Sequence, residues 1–205
     1  MTNISGANAA EFARTILPIY HSPCVKIRVS SCDYEYIVSK DLLCRESKYF
    51  SAMSEGRYKE GQQQTAVLQD IEGVVSVQSL EAFLQWLYVR KIKFETTEPE
   101  HQISAMIELA RFTDMCIVTK MEAQIALRLK KLLLANPNPE STECGININT
   151  YCLRSQHITS ATFLPQGHAV RRILAAATVE EYLHCEHHRF AQEAQEHPTY
   201  GVDLL

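Results

Sequence analysis

The sequence predicts an α+β protein in which a small sheet forms early in the chain and helices make up most of the rest. Val25, Ile27 and Val29 alternate with charged residues, which is typical of a strand with one buried face. From Val77 to Tyr88, apolar side chains recur at the spacing of a buried helix. Strands near the start and helices after them together indicate the α+β class.

The first half of the chain alternates short strands with short helices. Residues 34–38 are β-rich and predict a hairpin with the first strand. Apolar residues at 42–53 indicate one or two short helices, and 65–69 predicts a third strand. Ser76 is a suitable N-cap for the helix that begins at Val77.

The second half is predicted to be helical around one interruption. Apolar periodicity predicts helices at 100–112 and 117–133, with a break at residues 113–114. Residues 135–149 contain two prolines and lose all periodicity, so they are interpreted as a linker or flexible loop. Two further helical segments are predicted after it, at residues 151–163 and 167–195.

Composition and charge exclude several classes of function. A content of 46% hydrophobic and 21% charged residues is that of a folded protein. The net charge of -4 provides no broad field for nucleic acid or an anionic membrane. The chain contains no run of roughly 18 apolar residues, and its seven cysteines include no CxxC pair. We therefore expect a protein of the cytoplasm and/or nucleus with reduced thiols.

Candidate sites for chemistry are few. His184 and His188 are spaced to share one face of a helix, but zinc needs further ligands, so a solvated helix face without metal is favoured. The chain has no nucleophile elbow, phosphate-binding loop, dinucleotide fingerprint or HExxH pattern. We expect no catalytic residues, no cofactor and no small-molecule substrate. An enzyme with a cysteine nucleophile and a distant histidine is the distant alternative.

Basic residues cluster at three places. Residues 90–93 and 128–131 lie at predicted helix ends, where the helix dipole favours cations. Arg171 and Arg172 are interpreted as the solvated edge of the last helix, with a partner contact as the less favoured alternative.

Six blocks of sequence, taken in order, resemble a BTB/POZ domain. They lie within residues 22–133, at residues 25–29, 36–43, 47–53, 58–60, 67–71 and 83–88. The resemblance implies a small three-stranded sheet flanked by helical hairpins that binds copies of itself or other proteins and has no catalytic activity.

The end of the chain resembles the helical C-terminal extension of fungal BTB proteins, chiefly at residues 168–174 and 203–205. The predicted organisation therefore has four parts. They are an N-terminal helical segment at 1–21, the BTB/POZ domain at 22–134, the linker at 135–149 and the helical extension at 150–205.

The resemblance also implies a homodimer interface. In many members of the family, the leading helix and first strand pack against a second subunit. The apolar residues predicted at this interface are Phe12, Ile16, Leu17, Val25 and Ile27. The alternative is that the leading helix covers the core of its own chain, because an amphipathic helix does not reveal its partner.

A second implied surface would contact a cullin scaffold. Tyr58 and Glu60 resemble the hydrophobic-x-Glu motif of BTB adaptors, and Met53 is predicted to lie beside them. An aromatic anchor with a directed carboxylate makes a small binding hot spot. The alternative is that Tyr58 packs at the edge of the core and Glu60 is solvated.

The predicted function is thus a protein interaction module, with substrate adaptor of a cullin-RING ubiquitin ligase as the sharper interpretation. The alternative is a dimerising scaffold or a transcriptional or chromatin regulator. Many relatives carry an acidic residue where this chain has Cys24, and a His-Lys pair where it has Ser39 and Lys40. Because the charged pocket of corepressor-binding members is incomplete here, the regulator role is less favoured.

Overall fold

The computed structural model describes residues 17–55, 62–118, 120–137, 150–184 and 189–205. Phe12, Ile16, Tyr58 and Glu60 lie outside these residues.

The predicted strands form one mixed three-stranded sheet within the described residues. The central strand β1 (Cys24–Val29) runs antiparallel to β2 (Tyr36–Ser39) and parallel to β3 (Thr65–Leu68). Alternate side chains of β1 are buried because the strand repeats every two residues. The predicted hairpin and the buried face of the first strand are thereby confirmed.

Short helices precede and follow the hairpin. They are α1 (Leu17–Tyr20), α2 (Lys40–Glu46) and α3 (Lys48–Glu55). The buried Ser47 separates α2 from α3: its hydroxyl accepts the N–H of Phe50 at 3.2 Å and donates to the carbonyl of Cys116 at 2.6 Å. Because one hydroxyl serves both contacts, the α2–α3 pair is held against a distant part of the chain.

The central helix α4 (Val77–Val89) begins where the sequence predicts. The Ser76 hydroxyl accepts the N–H of Ser79 at 3.1 Å, and the Ser79 hydroxyl accepts the N–H of Ser76 at 2.9 Å. Phe83 of α4 lies between Phe50 and Phe112, with ring centroids 6.1 and 5.7 Å away. These rings form the middle of the core.

The helical hairpin after α4 differs from the prediction at its turn. α5 (Pro99–Met115) runs through residues 113–114, where a break was predicted, and α6 starts later than expected (Glu122–Ala135). The predicted break is wrong because Thr113 is buried in the helix and its hydroxyl donates to the carbonyl of Ala110 at 3.0 Å. A polar residue satisfied inside its own helix does not end it.

The end of the chain folds into four helices within the described residues. They are α7 (Ser155–Ala161), α8 (Ala169–His184), α9 (Ala191–Glu196) and α10 (Pro198–Asp203). The single long helix predicted for 167–195 is wrong, because residues 189 and 190 form a turn before α9 begins at Ala191. Phe190 and Tyr200 are 4% and 3% exposed, so the chain turns back to bury them.

These C-terminal helices dock on the rest of the chain. α7 packs on α5, and α8 packs on α6. The N–H of Ala169 at the start of α8 donates to Glu122 Oε1 on α6 at 2.7 Å. The buried apolar side chains of both regions belong to one continuous cluster. The α+β class, with a C-terminal set of helices, is therefore confirmed, and the boundaries predicted around the linker stay predictions.

Candidate interaction surfaces

The N-terminal helix α1 is fastened to the sheet and to α4. The Ser39 hydroxyl donates to the carbonyl of Ile19 at 2.6 Å and is hydrogen-bonded to the Ser22 hydroxyl, 2.8 Å away. The Tyr20 ring packs on Tyr88 with centroids 5.8 Å apart. These contacts hold the described part of the N-terminal segment on its own subunit.

The predicted dimer residues fall into three groups. Leu17, at the start of α1, is 41% exposed. Phe12 and Ile16 lie outside the described residues. Val25 and Ile27 are 1% and 0% exposed, so their side chains pack in the core of their own chain. If β1 contacts a second subunit, its outward-facing residues or its backbone make that contact.

The outer face of the sheet carries apolar side chains that sequence reasoning did not single out. Ile37 on β2 is 68% exposed and Val67 on β3 is 40% exposed. Lys26 of β1 pairs in register with Ile37 and forms a 3.0 Å ion pair with Glu35. The signal was present in the sequence, since residues that alternate with buried strand positions must face outward.

Met53, from the predicted cullin site, is half-buried against the core. Tyr49 lies four residues earlier on the same helix and is 39% exposed. The N–H of Tyr49 donates to the carbonyl of Cys116 at 3.4 Å, which places the α5–α6 turn beside α3. Ile117, in that turn, is 48% exposed. We call Tyr49, Met53 and Ile117 the α3 patch.

The backbone of Ile117 is in the left-handed region, with φ of 53°. A β-branched residue rarely adopts this conformation, which costs on the order of 1–3 kcal/mol. Strain of this kind persists where surrounding structure imposes it, and it concentrates at functional sites. The turn thus presents an apolar side chain to solvent at an energetic cost.

A buried carboxylate organises the charges next to this patch. The side chain of Glu46 is 1% exposed and lies 2.9 Å from both Arg90 Nη2 and Lys120 Nζ. Burial alone would raise the pKa of Glu46, but the hydrogen bond from Lys120 and the charge of Arg90 outweigh it, so the pKa lies below its usual range. The carboxylate therefore stays ionised and joins α2, the end of α4 and the α5–α6 turn.

Two buried thiols among the described residues, Cys116 and Cys152, are poor nucleophiles. Burial raises the pKa of the Cys116 thiol to about 12 and also raises that of Cys152. A thiol with a raised pKa is protonated at neutral pH and is a weak nucleophile. The free cysteines in the described ranges are Cys24, Cys32, Cys44, Cys116 and Cys152.

The predicted histidine pair falls largely outside the described residues. His184 ends α8, while residues 185–188, including His188, are not described. Elsewhere in the described ranges, no group of three or more His, Cys, Asp or Glu side chains is placed to hold a metal ion.

The charged pocket of its relatives includes a His-Lys pair, and this chain has Ser39 and Lys40 at those positions. Ser39 is buried and N-caps α2 by accepting the N–H of Leu42 at 3.2 Å. Lys40 Nζ donates to the carbonyl of Ser54 at 3.3 Å. Both side chains are thus engaged within their own subunit.

Comparisons with known proteins agree with this architecture. A search of curated proteins finds no match to this sequence. Among the described helices, none is both long and apolar enough to cross a membrane. The profile of the BTB/POZ domain matches residues 25–128, more than half of the 205 residues, and spans the sheet, helices α2 to α5 and the first half of α6. The chain belongs to the BTB/POZ domain family, whose members associate with themselves and bind other proteins.

Proposed function

We propose that this chain forms a homodimer and recruits a cullin scaffold as a substrate adaptor of a cullin-RING ubiquitin ligase in the cytoplasm and/or nucleus. The observation that carries the proposal is the α3 patch, of which Tyr49 and Ile117 are exposed, in a protein of the BTB/POZ family. An exposed apolar patch flanked by ordered charges is the usual form of a protein-binding site.

Dimerisation is supported by the N-terminal helix. Leu17 is exposed although α1 itself is fastened to Ser39 and Tyr88, so the helix offers an apolar side chain from an ordered position. Together with Phe12 and Ile16, it would contribute to a two-fold interface in which each subunit uses the same surface.

Light scattering at micromolar concentration tests the dimer. The wild-type chain is expected at twice its monomer mass, and Phe12→Glu/Leu17→Glu is expected at the monomer mass because two carboxylates would be buried in the interface. Leu134→Glu, at an exposed leucine on α6, is the control and should stay dimeric. A wild-type chain that is strictly monomeric defeats the dimer.

Cullin recruitment is supported by the position of the α3 patch. Met53 lies on α3 just before residues 56–61, which carry Tyr58 and Glu60. Ile117 adds a further exposed apolar side chain from the α5–α6 turn. A partner helix that lay over α3 would contact the patch, and the hydrophobic-x-Glu motif follows α3 directly in the sequence.

Co-purification with a cullin amino-terminal domain tests this role. The wild-type chain should bind, whereas Tyr58→Ala/Glu60→Arg and Ile117→Glu should each weaken binding at least about tenfold, since a central anchor is lost. Ile37→Glu, which places the same charge on the outer face of the sheet, should bind as the wild type does. Absence of wild-type binding, or equal loss in the Ile37 variant, contradicts the proposal.

A scaffold or regulator is the competing role. It would use the same dimer but no cullin, so a wild-type chain that dimerises and does not bind cullin supports it. Ser39 and Lys40 count against the charged-pocket version of that role, because both are engaged in contacts within their own subunit.

A further inference from the structure

A groove lies between the segment that follows α4 and the outer face of α6. Its volume is about 810 Å³. Residues 90–93 and 128–131 are far apart in the sequence, where each is interpreted as an ordinary helix end. In the fold, both segments line this groove. The basic side chains that line it are Arg90, Lys91, Lys93, Arg128 and Lys131.

Apolar surface lies between these charges. Ile92 is 6% exposed and contributes to the base of the groove. Leu127 is 54% exposed on the adjoining face of α6, and Leu132 is half-buried one turn further along. The surface between the cations can therefore take apolar side chains of a partner.

The two arginines are held in place by the protein. The guanidinium of Arg90 lies 4.2 Å from the centre of the Trp86 ring and is bonded to Glu46. Arg128 donates to the carbonyl of Ile92. Arginines held in this way lose little freedom when a ligand binds.

The three lysines of the groove differ from the two arginines in their contacts. Lys91, Lys93 and Lys131 are exposed, and no carboxylate among the described residues forms an ion pair with them. None of the residues that line the groove is acidic, although the chain as a whole carries a net charge of -4. The groove is thus a local concentration of positive charge on an acidic protein.

We propose that this groove docks an acidic amphipathic segment of a partner protein. Its apolar side chains would cover Leu127 and Ile92, and its carboxylates would meet the lysines at the rim. Complementary charge of this kind speeds association and sets the orientation of the bound segment. The inference rests on the proposed role as an interaction module, but it uses neither the dimer interface nor the α3 patch.

A peptide fits the groove better than a nucleic acid does. None of the lining residues is aromatic, so bases would have no ring on which to stack. The net charge of -4 also repels a long polyanion beyond the groove itself. The exposed leucine at its wall favours a ligand with an apolar face.

Fluorescence anisotropy on the full chain tests the proposal. The probe is a labelled helical peptide of about four turns, with Leu along one face and Glu on the other. It should bind, and binding should weaken as NaCl rises from about 50 to about 300 mM. A peptide with Lys in place of Glu, and one with the Leu positions changed to Ser, should both bind at least about tenfold more weakly.

Neighbouring residues on α6 provide matched variants. Lys131→Glu should weaken binding of the probe at least about fivefold, whereas Lys130→Glu, exposed but outside the groove, should leave it within about twofold. Leu127→Ser should weaken binding, and Leu134→Ser, 56% exposed and also outside the groove, should not. All four positions are exposed, so the comparison does not depend on folding of the core.

Three outcomes overturn the inference: no binding of the acidic probe to the wild type, equal effects of Lys130→Glu and Lys131→Glu, or tighter binding of a single-stranded oligonucleotide or phosphatidylserine vesicles. Light scattering on the same samples distinguishes failure of the groove proposal from failure of the dimer proposal. Loss of probe binding in an intact dimer defeats the groove alone, while probe binding by a monomer defeats the dimer alone.

Discussion

At the scale of single residues, Ser39 connects several elements of this fold through its hydrogen bonds. Its hydroxyl caps α2 and donates to the carbonyl of Ile19, and its backbone N–H donates to the Tyr88 hydroxyl at 2.8 Å. The sheet, α1, α2 and α4 therefore meet at a residue that is 2% exposed. Sequence comparison marks this position only as a departure from a His-Lys pair, because a residue type does not reveal its partners.

His157 is a second residue whose state depends on burial. The N–H of Arg154 donates to His157 Nδ1 at 3.0 Å, so the ring proton is on Nε2, which donates to the Ser104 hydroxyl 2.9 Å away. Burial lowers the pKa of His157 from 6.5 to about 4. The folded protein therefore holds this imidazole neutral at pH values where the unfolded chain protonates it.

This difference predicts a loss of stability in acid. Because the folded pKa is below the unfolded pKa, the unfolded chain binds more protons, and the free energy of unfolding falls as the pH drops from about 6.5 towards about 4. His157 contributes about 3 kcal/mol to that fall. Urea denaturation at several pH values measures it for the wild type and His157→Gln.

The His157→Gln chain should be less stable at neutral pH but should lose less stability in acid. His101→Gln, at an exposed histidine, is the control and should follow the wild type. Equal acid sensitivity of the wild type and His157→Gln would show that this imidazole is not the titrating group.

At the scale of elements, α4 shows which boundaries a sequence can predict. Ser76 and Ser79 satisfy each other's backbone N–H at its start, and this local chemistry is visible in the sequence. The end of α4 has no such local capping signal in the sequence. Arg90 takes the left-handed conformation, with φ of 57°, a position usually held by glycine. Tertiary contacts with Glu46 and Trp86 hold the arginine there.

The cap predicts a measurable stability effect. Ser76→Ala should lower the free energy of unfolding by about 1–2 kcal/mol, because the N–H of Ser79 loses its acceptor. The hydroxyl also donates to Glu108 on α5, so its loss affects two helices. Urea denaturation measures the change. Ser76→Thr keeps the hydroxyl and should cost less; if both variants match the wild type, the cap does not stabilise the helix.

At the scale of the whole molecule, Arg171 fastens the C-terminal helices. Its guanidinium is bonded to Asp203 at 2.7 Å and to the carbonyls of Leu164 and Thr199 at 2.9 and 2.8 Å. The side chains of Arg171 and Asp203 are only 3% and 7% exposed. The interpretation of Arg171 as a solvated edge is therefore wrong, whereas its neighbour Arg172 is exposed.

Removal of this arginine should loosen the end of the chain. Arg171→Met should cost about 3–5 kcal/mol, because it leaves a buried carboxylate and two carbonyls without a donor. Arg171→Met/Asp203→Leu should recover part of that loss, since no buried charge is left unpaired. Urea denaturation measures both against Arg172→Met, which should stay within about 0.5 kcal/mol of the wild type. A similar cost at both arginines would mean that the buried pair does not fasten the helices.

The sequence by itself determined the three strands and the start of α4, because each depends on periodicity or capping within a short segment. It also indicated the family, through the resemblance of six blocks in order along the chain. The resemblance predicted that Val25 and Ile27 lie at the homodimer interface, but in the structure their side chains lie in the core. Only the tertiary structure decided that the C-terminal helices dock on α5 and α6, that Arg171 is buried, and that two basic segments line one groove. The physical reason is that periodicity shows which face of an element is buried, whereas its partner is selected by packing between distant segments.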